Sequence, residues 1–172
     1  MVGRGGRLRP VPSGTYLVTH AMLADARACE LGEHASNLGC LIAHDIAEPA
    51  GIPAYIVDPV SVDELCPEAR VAGLSGIRRV SLGHALNIKA VARRAASELG
   101  YDYDKTNLIV AHLGGGSTVT AHRRGDMIEC VNSDMDGFFS VNRAGAPPIL
   151  DLVNICFEDG ATAEEGWNRI SG

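Results

Sequence analysis

The sequence predicts an α/β protein in which helices flank a mixed β-sheet. Helical and strand-like segments succeed one another along the 172 residues in the order α, α, β, α, β, β, β, α. Residues 54–57 form a short, wholly apolar segment of the kind that is buried on both faces of a sheet. Residues 107–131 predict further strands joined by turns. Such a mixture of elements packs as helices against a sheet around a common core.

The N-terminal half predicts two helices before the buried strand. The Thr19 hydroxyl can accept a hydrogen bond from a free N–H of the first turn, so Thr19 is the expected cap of the first helix. Apolar residues at helical spacing predict the second helix, which Gly51 and Pro53 end. The predicted segments are a loop with a short strand or hairpin at 1–18, helices at 20–31 and 35–50, the strand at 54–57, and a looser region at 59–80.

The C-terminal half predicts a long helix followed by three strands. Ser81 can cap the helix, which extends to Leu99 and is closed by Gly100. Basic residues in its second half lie where the helix dipole favours positive charge. The remaining segments are strands at 107–113, 119–122 and 127–131, an irregular stretch at 133–146, and a helix from Pro147 to Glu158 and Asp159.

Composition excludes several classes of protein. The net charge is −6, and basic residues occur as scattered pairs, which argues against a nucleic-acid-binding surface. The five cysteines form no C-x-x-C pair, which favours the reduced thiols of a cytoplasmic protein over disulfides or a zinc site. No apolar run approaches the roughly 18 residues that a membrane-spanning helix needs, so no membrane span is predicted.

The most informative motif joins an apolar strand directly to a run of three glycines and two hydroxyl residues. Glycines let the backbone approach a ligand closely and turn its N–H groups toward it, which suits phosphate. The loop opens a hairpin rather than a helix, which argues against a Walker A loop and a dinucleotide fingerprint. A glycine turn between strands that binds phosphate is typical of the actin-like ATPase fold. The simpler interpretation is a tight hairpin with spare glycines. The loop residues are Gly114, Gly115, Gly116, Ser117 and Thr118.

Four side chains are candidates for phosphate chemistry. Asp58 follows the buried strand, where ligands bind in open α/β sheets, and can orient Mg²⁺ or polarise a phosphoryl acceptor. His84, early in the long helix, can donate to a developing phosphoryl charge. Arg143 follows the hairpin and can grip a carboxylate or phosphate with two N–H groups. His112 ends the strand before the glycine loop and can contact a phosphate.

Each candidate also has a purely structural interpretation. An aspartate before a proline is a common strand stop, and His84 can be a satisfied surface or core side chain. Arg143 can be an exposed loop arginine, and His112 can merely anchor the glycine loop through a hydrogen bond. All four nevertheless lie at a strand end, a helix start or a Gly-rich loop, and such positions can converge on one cleft.

Six segments, spread over nearly the whole chain and in the same order, resemble motifs of the acetate kinase family of short-chain carboxylate kinases. The resemblance is stronger to its butyrate kinases than to its acetate kinases, because Gly115 stands where acetate kinases usually have Asn. The run that begins at His84 also differs from their His-Gly-Thr-Ser-His. The segments are VGRGG at 2–6, HASNLG at 34–39, IVDPV at 56–60, HALNIKAVARR at 84–94, AHLGGGS at 111–117 and NRAG at 142–145.

This resemblance implies an actin-like ATPase (ribonuclease H-like) fold, present here incompletely. It also implies the reaction ATP + carboxylate ⇌ ADP + acyl phosphate with Mg²⁺, the acceptor being butyrate or a related branched or short acid. The γ-phosphoryl group is then transferred directly and in line, which is chiefly a matter of positioning and charge stabilisation.

The resemblance also implies roles for residues of this sequence. Asp58 matches the active-site aspartate associated with Mg²⁺, and His84 matches the histidine that steadies the transferring phosphoryl group. Arg143 matches the arginine that holds the acceptor carboxylate and the phosphoryl oxygens. The cofactor-binding loop comprises His112, Gly114, Gly115, Gly116 and Ser117. Arg4 lies beside the substrate cleft, although its match is out of register.

The chain also departs from this family. The family members have two actin-like domains and about twice this length. We therefore expect a central fragment, with the end of the first domain and the crossover helix at 1–100 and the start of the second domain at 101–172. The first phosphate loop, of Asn-x-Gly-Ser type, is missing, as are the adenosine-site glycines. Gly83 replaces an aromatic residue, which is expected to loosen the acyl pocket, and Ala144 replaces a serine.

These departures leave alternatives to a complete kinase. One is a truncated, non-catalytic chain that at most binds phosphate or an acyl ligand. Another is a regulatory nucleotide binder of the actin-like fold, which would need an adenosine pocket. The family resemblance further implies a homodimer or a higher homo-oligomer, and no nucleic-acid or membrane partner is expected.

Overall fold

A computed structural model describes residues 1–157, 160 and 162–171 of the chain. Glu158 and Asp159, where the sequence predicts a helix to end, lie outside the described residues. The strands are β1 (Val2–Arg4), β2 (Thr15–Leu17), β3 (Tyr55–Val57), β4 (Asn107–His112), β5 (Thr118–Arg123) and β6 (Asp126–Asn132). The helices are α1 (His20–Ala28), α2 (Leu38–Ala47), α3 (Ala85–Glu98), α4 (Ile149–Cys156) and α5 (Ala163–Ser171).

The first sheet is mixed and has the order β1-β3-β2. Strand β3 is central, pairing in parallel with β1 and antiparallel with β2. Its middle residue, Ile56, faces Gly3 on one side and Tyr16 on the other and is fully buried. The buried apolar strand predicted from the sequence is therefore confirmed, and it forms the axis of this sheet.

Helices α1 and α2 cover the first sheet. The Thr19 hydroxyl accepts a hydrogen bond from the Met22 backbone N–H at 3.3 Å, which confirms the predicted cap of α1. Helix α2 lies directly against β1, backbone to backbone. A Cβ atom placed on Gly39 would lie 2.0 Å from the Arg4 carbonyl oxygen, so only glycine permits this approach.

We expect Gly39→Ala to destabilise the fold by about 1–3 kcal/mol or more, because an added methyl group must push α2 away from β1. The free energy of unfolding from urea denaturation measures this cost. Gly73→Ala is the matched control, since a Cβ at Gly73 would meet nothing within 4 Å. Equal stability of the two variants would contradict the close backbone contact.

The predicted cap of α3 is wrong. The helix begins at Ala85 with His84 at its N-cap position, whereas Ser81 lies in an extended segment that precedes it. This segment is already bound to its neighbours: the Ser81 N–H donates to Asp63 Oδ2 at 3.4 Å and the Gly83 N–H donates to the Val60 carbonyl at 3.1 Å. The predicted C-terminal end is correct, because Gly100 follows with a φ of 78°.

One basic residue of α3 is buried rather than solvated. Lys89 is 1% exposed, and its Nζ lies 2.6 Å from Glu64 Oε2. Glu64 also accepts hydrogen bonds from the backbone N–H groups of Met127 and Ser13, at 2.8 and 2.9 Å. This ion pair ties α3 to β6 and to the loop before β2.

The second sheet is antiparallel and has the order β4-β5-β6. Strands β5 and β6 are joined at Arg124 and Gly125, whose φ values of 53° and 92° are those of a type I′ turn. This confirms the hairpin predicted from the sequence. The glycine loop joins β4 to β5, so it also connects two antiparallel strands, as predicted. Where the sequence predicts one mixed sheet, the described residues form two sheets of three strands.

The segment at 59–80 connects the two sheets and is more ordered than predicted. Val62 and Leu65 from this segment share one buried cluster with Ile88 of α3 and with Met127 of β6. Helix α3 thus packs between the connection and the hairpin. None of the described helices is long and apolar enough to cross a membrane.

Candidate active site

A cavity of about 490 Å³ lies where the end of β1, the start of α3 and the glycine loop meet. Its wall brings together five of the residues predicted as site residues from the sequence. Further lining residues come from the turns after β1 and β6 and from the extended segment before α3. The predicted residues in the wall are Arg4, His84, Gly116, Ser117 and Arg143.

Three arginines give the cavity its charge. Arg143 Nε donates to Asp134 Oδ1 at 2.6 Å, and Arg7 Nη2 lies 3.5 Å from Asp134 Oδ2. One carboxylate therefore bridges two guanidinium groups of the cavity lining. The Arg4 guanidinium forms no hydrogen bond or ion pair with the residues that the structure describes. With three cations and a single carboxylate in its lining, the cavity is suited to an anion.

His84 and His112 form a stacked pair beside the glycine loop. Their ring centroids are 3.9 Å apart and the ring planes differ by 10°. His84 Nδ1 lies 2.9 Å from the hydroxyl oxygen of Thr118, and His112 Nδ1 lies 2.8 Å from Asn87 Oδ1. His112 is therefore an immediate neighbour of His84 as well as the end of the strand before the loop.

The glycine loop is held from behind by hydrogen bonds. The Gly115 carbonyl accepts from the Asn142 N–H at 3.0 Å and from the Ser140 hydroxyl at 2.7 Å. The Ser117 N–H donates to the Ser133 hydroxyl at 2.9 Å, and this donor is therefore already used within the protein. A Cβ on Gly116 would lie 3.5 Å from His84 Cε1, which shows how closely the loop approaches the histidine. No described residue accepts from the Gly115 or Gly116 N–H. Gly116 lies in the cavity wall, whereas the predicted loop residues His112, Gly114 and Gly115 do not.

The structure does not place Asp58 in the wall of this cavity. Asp58 is 3% exposed and follows β3 with a φ of 38°. Its Oδ1 accepts from the Ser13 hydroxyl at 2.7 Å and from the Gly14 N–H at 2.8 Å, and Arg93 Nη1 lies 3.6 Å from Oδ2. These contacts tie the aspartate to the loop before β2, and its predicted part in the reaction stays a prediction.

The described residues do not form a carboxylate cage for Mg²⁺. No group of three or more His, Cys, Asp or Glu side chains among them can hold a metal ion. The carboxylate in the cavity, Asp134, already bridges two arginines, and the carboxylate of Asp58 is occupied by the contacts described above. The described residues therefore do not by themselves supply a complete set of protein ligands for Mg²⁺.

The electrostatics of the histidines around the cavity agree with an anion site. Burial lowers the pKa of His84, of His112 and of His34 below the ordinary value, and nearby positive charge lowers each further. For His34 that charge is Arg7, and for His112 it is Arg4. Burial is the largest cause for all three histidines, and the neighbouring positive charge acts in the same direction.

Two residues of the site are missed by the sequence reasoning. Arg7 follows the glycine pair after β1, and Asp134 lies two residues beyond β6. No sequence pattern marks Arg7 or Asp134 as a site residue, because the contact between them depends on how the two sheets pack. Gly83 lies in the cavity wall, and its close packing gives a structural reason for glycine at this position. A Cβ there would lie 3.0 Å from Cys130 Sγ and 3.0 Å from Thr118 Cγ2, so glycine lets the segment before α3 lie flat on β5 and β6. The expected loosening of an acyl pocket stays a prediction.

Comparison with known proteins places this geometry in context. No protein-family model matches the chain. Butyrate kinase 1 of Clostridium acetobutylicum is 51% identical over 173 aligned residues, which cover 100% of this chain and 49% of that protein. A probable butyrate kinase of Enterococcus faecalis is 49% identical, covering 100% of this chain and 48% of that protein. The chain thus spans about half the length of the curated relatives it matches.

Solved structures show the same fold. Acetate kinase of Porphyromonas gingivalis superimposes with a TM-score of 0.79 at 22% identity, covering 99% of this chain and 45% of that one. A propionate kinase from Francisella tularensis superimposes with a TM-score of 0.76 at 23% identity, covering 98% of this chain and 47% of that one. The predicted fold class and the predicted resemblance are both confirmed. The chain is homologous to butyrate kinases along its whole length and has the fold of the corresponding part of acetate and propionate kinases.

Proposed function

We propose that the cavity is the acceptor and phosphoryl site of a short-chain carboxylate kinase. The supporting observation is that one cavity is lined by Arg4, Arg143, His84 and the loop residues Gly116 and Ser117, which lie far apart in the sequence. In the proposed reaction an acceptor carboxylate oxygen forms a bond to the γ-phosphorus of ATP. The bond from that phosphorus to the β–γ bridging oxygen breaks, and ADP leaves with the electron pair.

The arginines suit both anions of this reaction. Arg143 offers a planar guanidinium that can bind a carboxylate or a phosphoryl group through two parallel N–H donors. Its bond to Asp134 already holds it at the cavity wall. Positive charge fixed at the point where phosphoryl charge develops lowers the barrier without further reorganisation.

The apolar residues in the cavity lining support a short acyl chain as the substrate's tail. Val60, Leu82 and Ala35 line the cavity alongside the polar residues. An acid with a short alkyl tail can place its carboxylate among the arginines and its tail against these side chains. Butyrate, the substrate in the names of the relatives, is therefore the acid we propose, together with related short or branched acids.

The remaining features of the proposal concern cofactors and assembly. We propose that Mg²⁺ arrives as the counterion of ATP, because Mg²⁺ is commonly held by substrate phosphates and water rather than by an all-protein cage. The five free cysteines support a reducing, cytoplasmic setting. Apolar side chains exposed on α2 and α4, among them Ile42 and Leu150, support a homodimer or higher homo-oligomer. The division at residues 100 and 101 into parts of two domains stays a prediction.

Trapping of acyl phosphate by hydroxylamine tests the proposed function. The purified chain is incubated with ATP, Mg²⁺ and butyrate, and the hydroxamate is measured against reactions that lack butyrate or ATP. We expect butyrate-dependent and ATP-dependent product. Saturable binding of butyryl phosphate without product would favour the alternative of a non-catalytic binding chain, and neither binding nor product would contradict the proposal.

A further inference from the structure

The rings of His84 and His112 are stacked in an arrangement that the proposed function does not by itself require. His84 is the histidine next to the proposed phosphoryl position, and His112 was expected from the sequence to contact a phosphate. In the structure, His112 lies flat on His84 at 3.9 Å with almost parallel rings. A ring in that position restricts how its neighbour can turn, because any tilt of one ring brings it into the other.

Both rings are also fixed at their outer edges. Asn87 Oδ1 is an amide oxygen, which only accepts, so the proton of neutral His112 resides on Nδ1. The Thr118 side chain is fully buried at the first residue of β5, and its hydroxyl meets His84 Nδ1. If that hydroxyl donates, neutral His84 carries its proton on Nε2. Each ring is thereby anchored to a different element, His112 to α3 and His84 to the second sheet.

The opposite edges of both rings face the glycine loop. A Cβ on Gly114 would lie 3.4 Å from His112 Nε2, and a Cβ on Gly116 would lie 4.0 Å from His84 Nε2. The Nε2 atom of His84 is therefore next to the backbone of the loop whose free N–H groups are proposed to bind phosphoryl oxygens. Its orientation decides whether it can donate to the same oxygens.

From this arrangement we infer that His112 is a positioning residue, which acts through His84 by holding the His84 ring flat against itself with Nε2 toward the glycine loop. The inference rests on the proposed function only for what His84 does to a ligand. The arrangement of the rings and its effect on His84 can be measured without any turnover.

The charges around the pair decide the expected protonation behaviour. Burial lowers the pKa of His84 and of His112, and the positive charge of His112 lowers the pKa of His84 further. Two cationic rings at this distance repel, so the pair accepts one proton more readily than two. The other charged or titratable groups facing the stack or lining its cavity are Arg4, Arg7, His34, Asp134 and Arg143.

Titration of the imidazole signals by NMR tests the ring contact on which the inference depends. The chain is labelled with ¹⁵N-histidine, and the His84 signal is identified from its absence in His84→Gln. In His112→Phe, a flat ring still covers His84 but can carry no charge. We expect the pKa of His84 to rise in this variant, because the positive charge of His112 is gone while the burial remains. An unchanged His84 pKa in a folded His112→Phe chain would contradict the close contact of the two rings and so overturn the inference.

The positioning role is tested separately with inorganic phosphate as the probe. His112→Leu keeps the volume but removes the flat ring, so it should weaken phosphate binding several-fold at pH 8, where the histidines are neutral. His112→Phe should retain the wild-type dissociation constant at that pH. Equal phosphate affinity of all three proteins would overturn the positioning role. Failure of the wild-type chain to bind phosphate would count against the proposed function instead, and the NMR titration would still decide the effect of His112 on His84.

Discussion

Replacing Arg143 with alanine is expected to reduce kcat/KM for butyrate by roughly 10²–10³-fold, the loss seen when one preorganised donor to a developing oxyanion is removed. The Arg143 guanidinium lies in the cavity wall. Its hydrogen bond to the Asp134 carboxylate is shorter than the contact that Arg7 makes with the same carboxylate. The dissociation constant for inorganic phosphate should rise by about 10-fold or more, because a charge-assisted pair of hydrogen bonds is lost. Hydroxamate formation and calorimetry measure the two effects.

Two further variants sharpen this test. Arg143→Lys keeps the positive charge but loses the planar fork, so it should fall between wild type and alanine. Arg94→Ala is the remote control, because Arg94 pairs with Glu98 on the exposed face of α3. If Arg143→Ala behaves like Arg94→Ala, the cavity is not the acceptor site.

Replacing Lys89 with methionine is expected to lower the free energy of unfolding by about 3–5 kcal/mol, the cost of breaking a buried ion pair from one side. Methionine fills the space of the lysine stem but leaves the Glu64 carboxylate, whose side chain is 12% exposed, without its cation. Urea denaturation followed by circular dichroism measures the change. Lys105→Met is the matched control, since Lys105 pairs with Asp102 at the surface and its loss should leave the midpoint unchanged.

The same pair makes a prediction about pH. Burial acts to raise the pKa of Glu64, but hydrogen bonds from Lys89, Met127 and Ser13 outweigh it and hold that pKa below the ordinary value. The pair therefore stabilises the fold fully above the unfolded-state pKa of glutamate, about 4.3, and loses this contribution as the pH falls through the lower folded-state value. In Lys89→Met with Glu64→Gln, no charge is buried, so part of the stability should return. A double variant no more stable than Lys89→Met would argue against the buried pair.

Local signals in the sequence predict local structure well. Thr19 caps α1, and Arg124 and Gly125 form the turn of the β5–β6 hairpin. Both features are predictable because a cap or a tight turn depends on a few adjacent residues. The cap of α3 fails for the opposite reason. Ser81 has the right side chain, but Asp63 and Val60 hold its segment in an extended conformation, and both belong to a connection that looked irregular in sequence.

The candidate site follows the same division. The sequence singles out Arg143, His84 and the glycine loop, because each residue type suits anions at a strand end or in a loop. It does not predict that Arg7 and Asp134 join them, since that meeting depends on packing between sheets. Asp58 follows the buried strand as predicted, but it does not line the cavity, and its carboxylate bonds to Ser13 and Gly14. Its predicted role in the reaction stays a prediction.

The pairing of β1 with β3 has a consequence for how the chain folds. The Met1 nitrogen donates to the Pro53 carbonyl at 2.8 Å, a contact between residues 52 positions apart. The second sheet, in contrast, is built from strands that follow one another directly. Closing the larger loop costs more chain entropy before any contact repays it. During synthesis, β1 can therefore pair with β3 only after the 52 residues that separate Met1 from Pro53 have been made, whereas the strands of the second sheet pair with strands adjacent in the sequence.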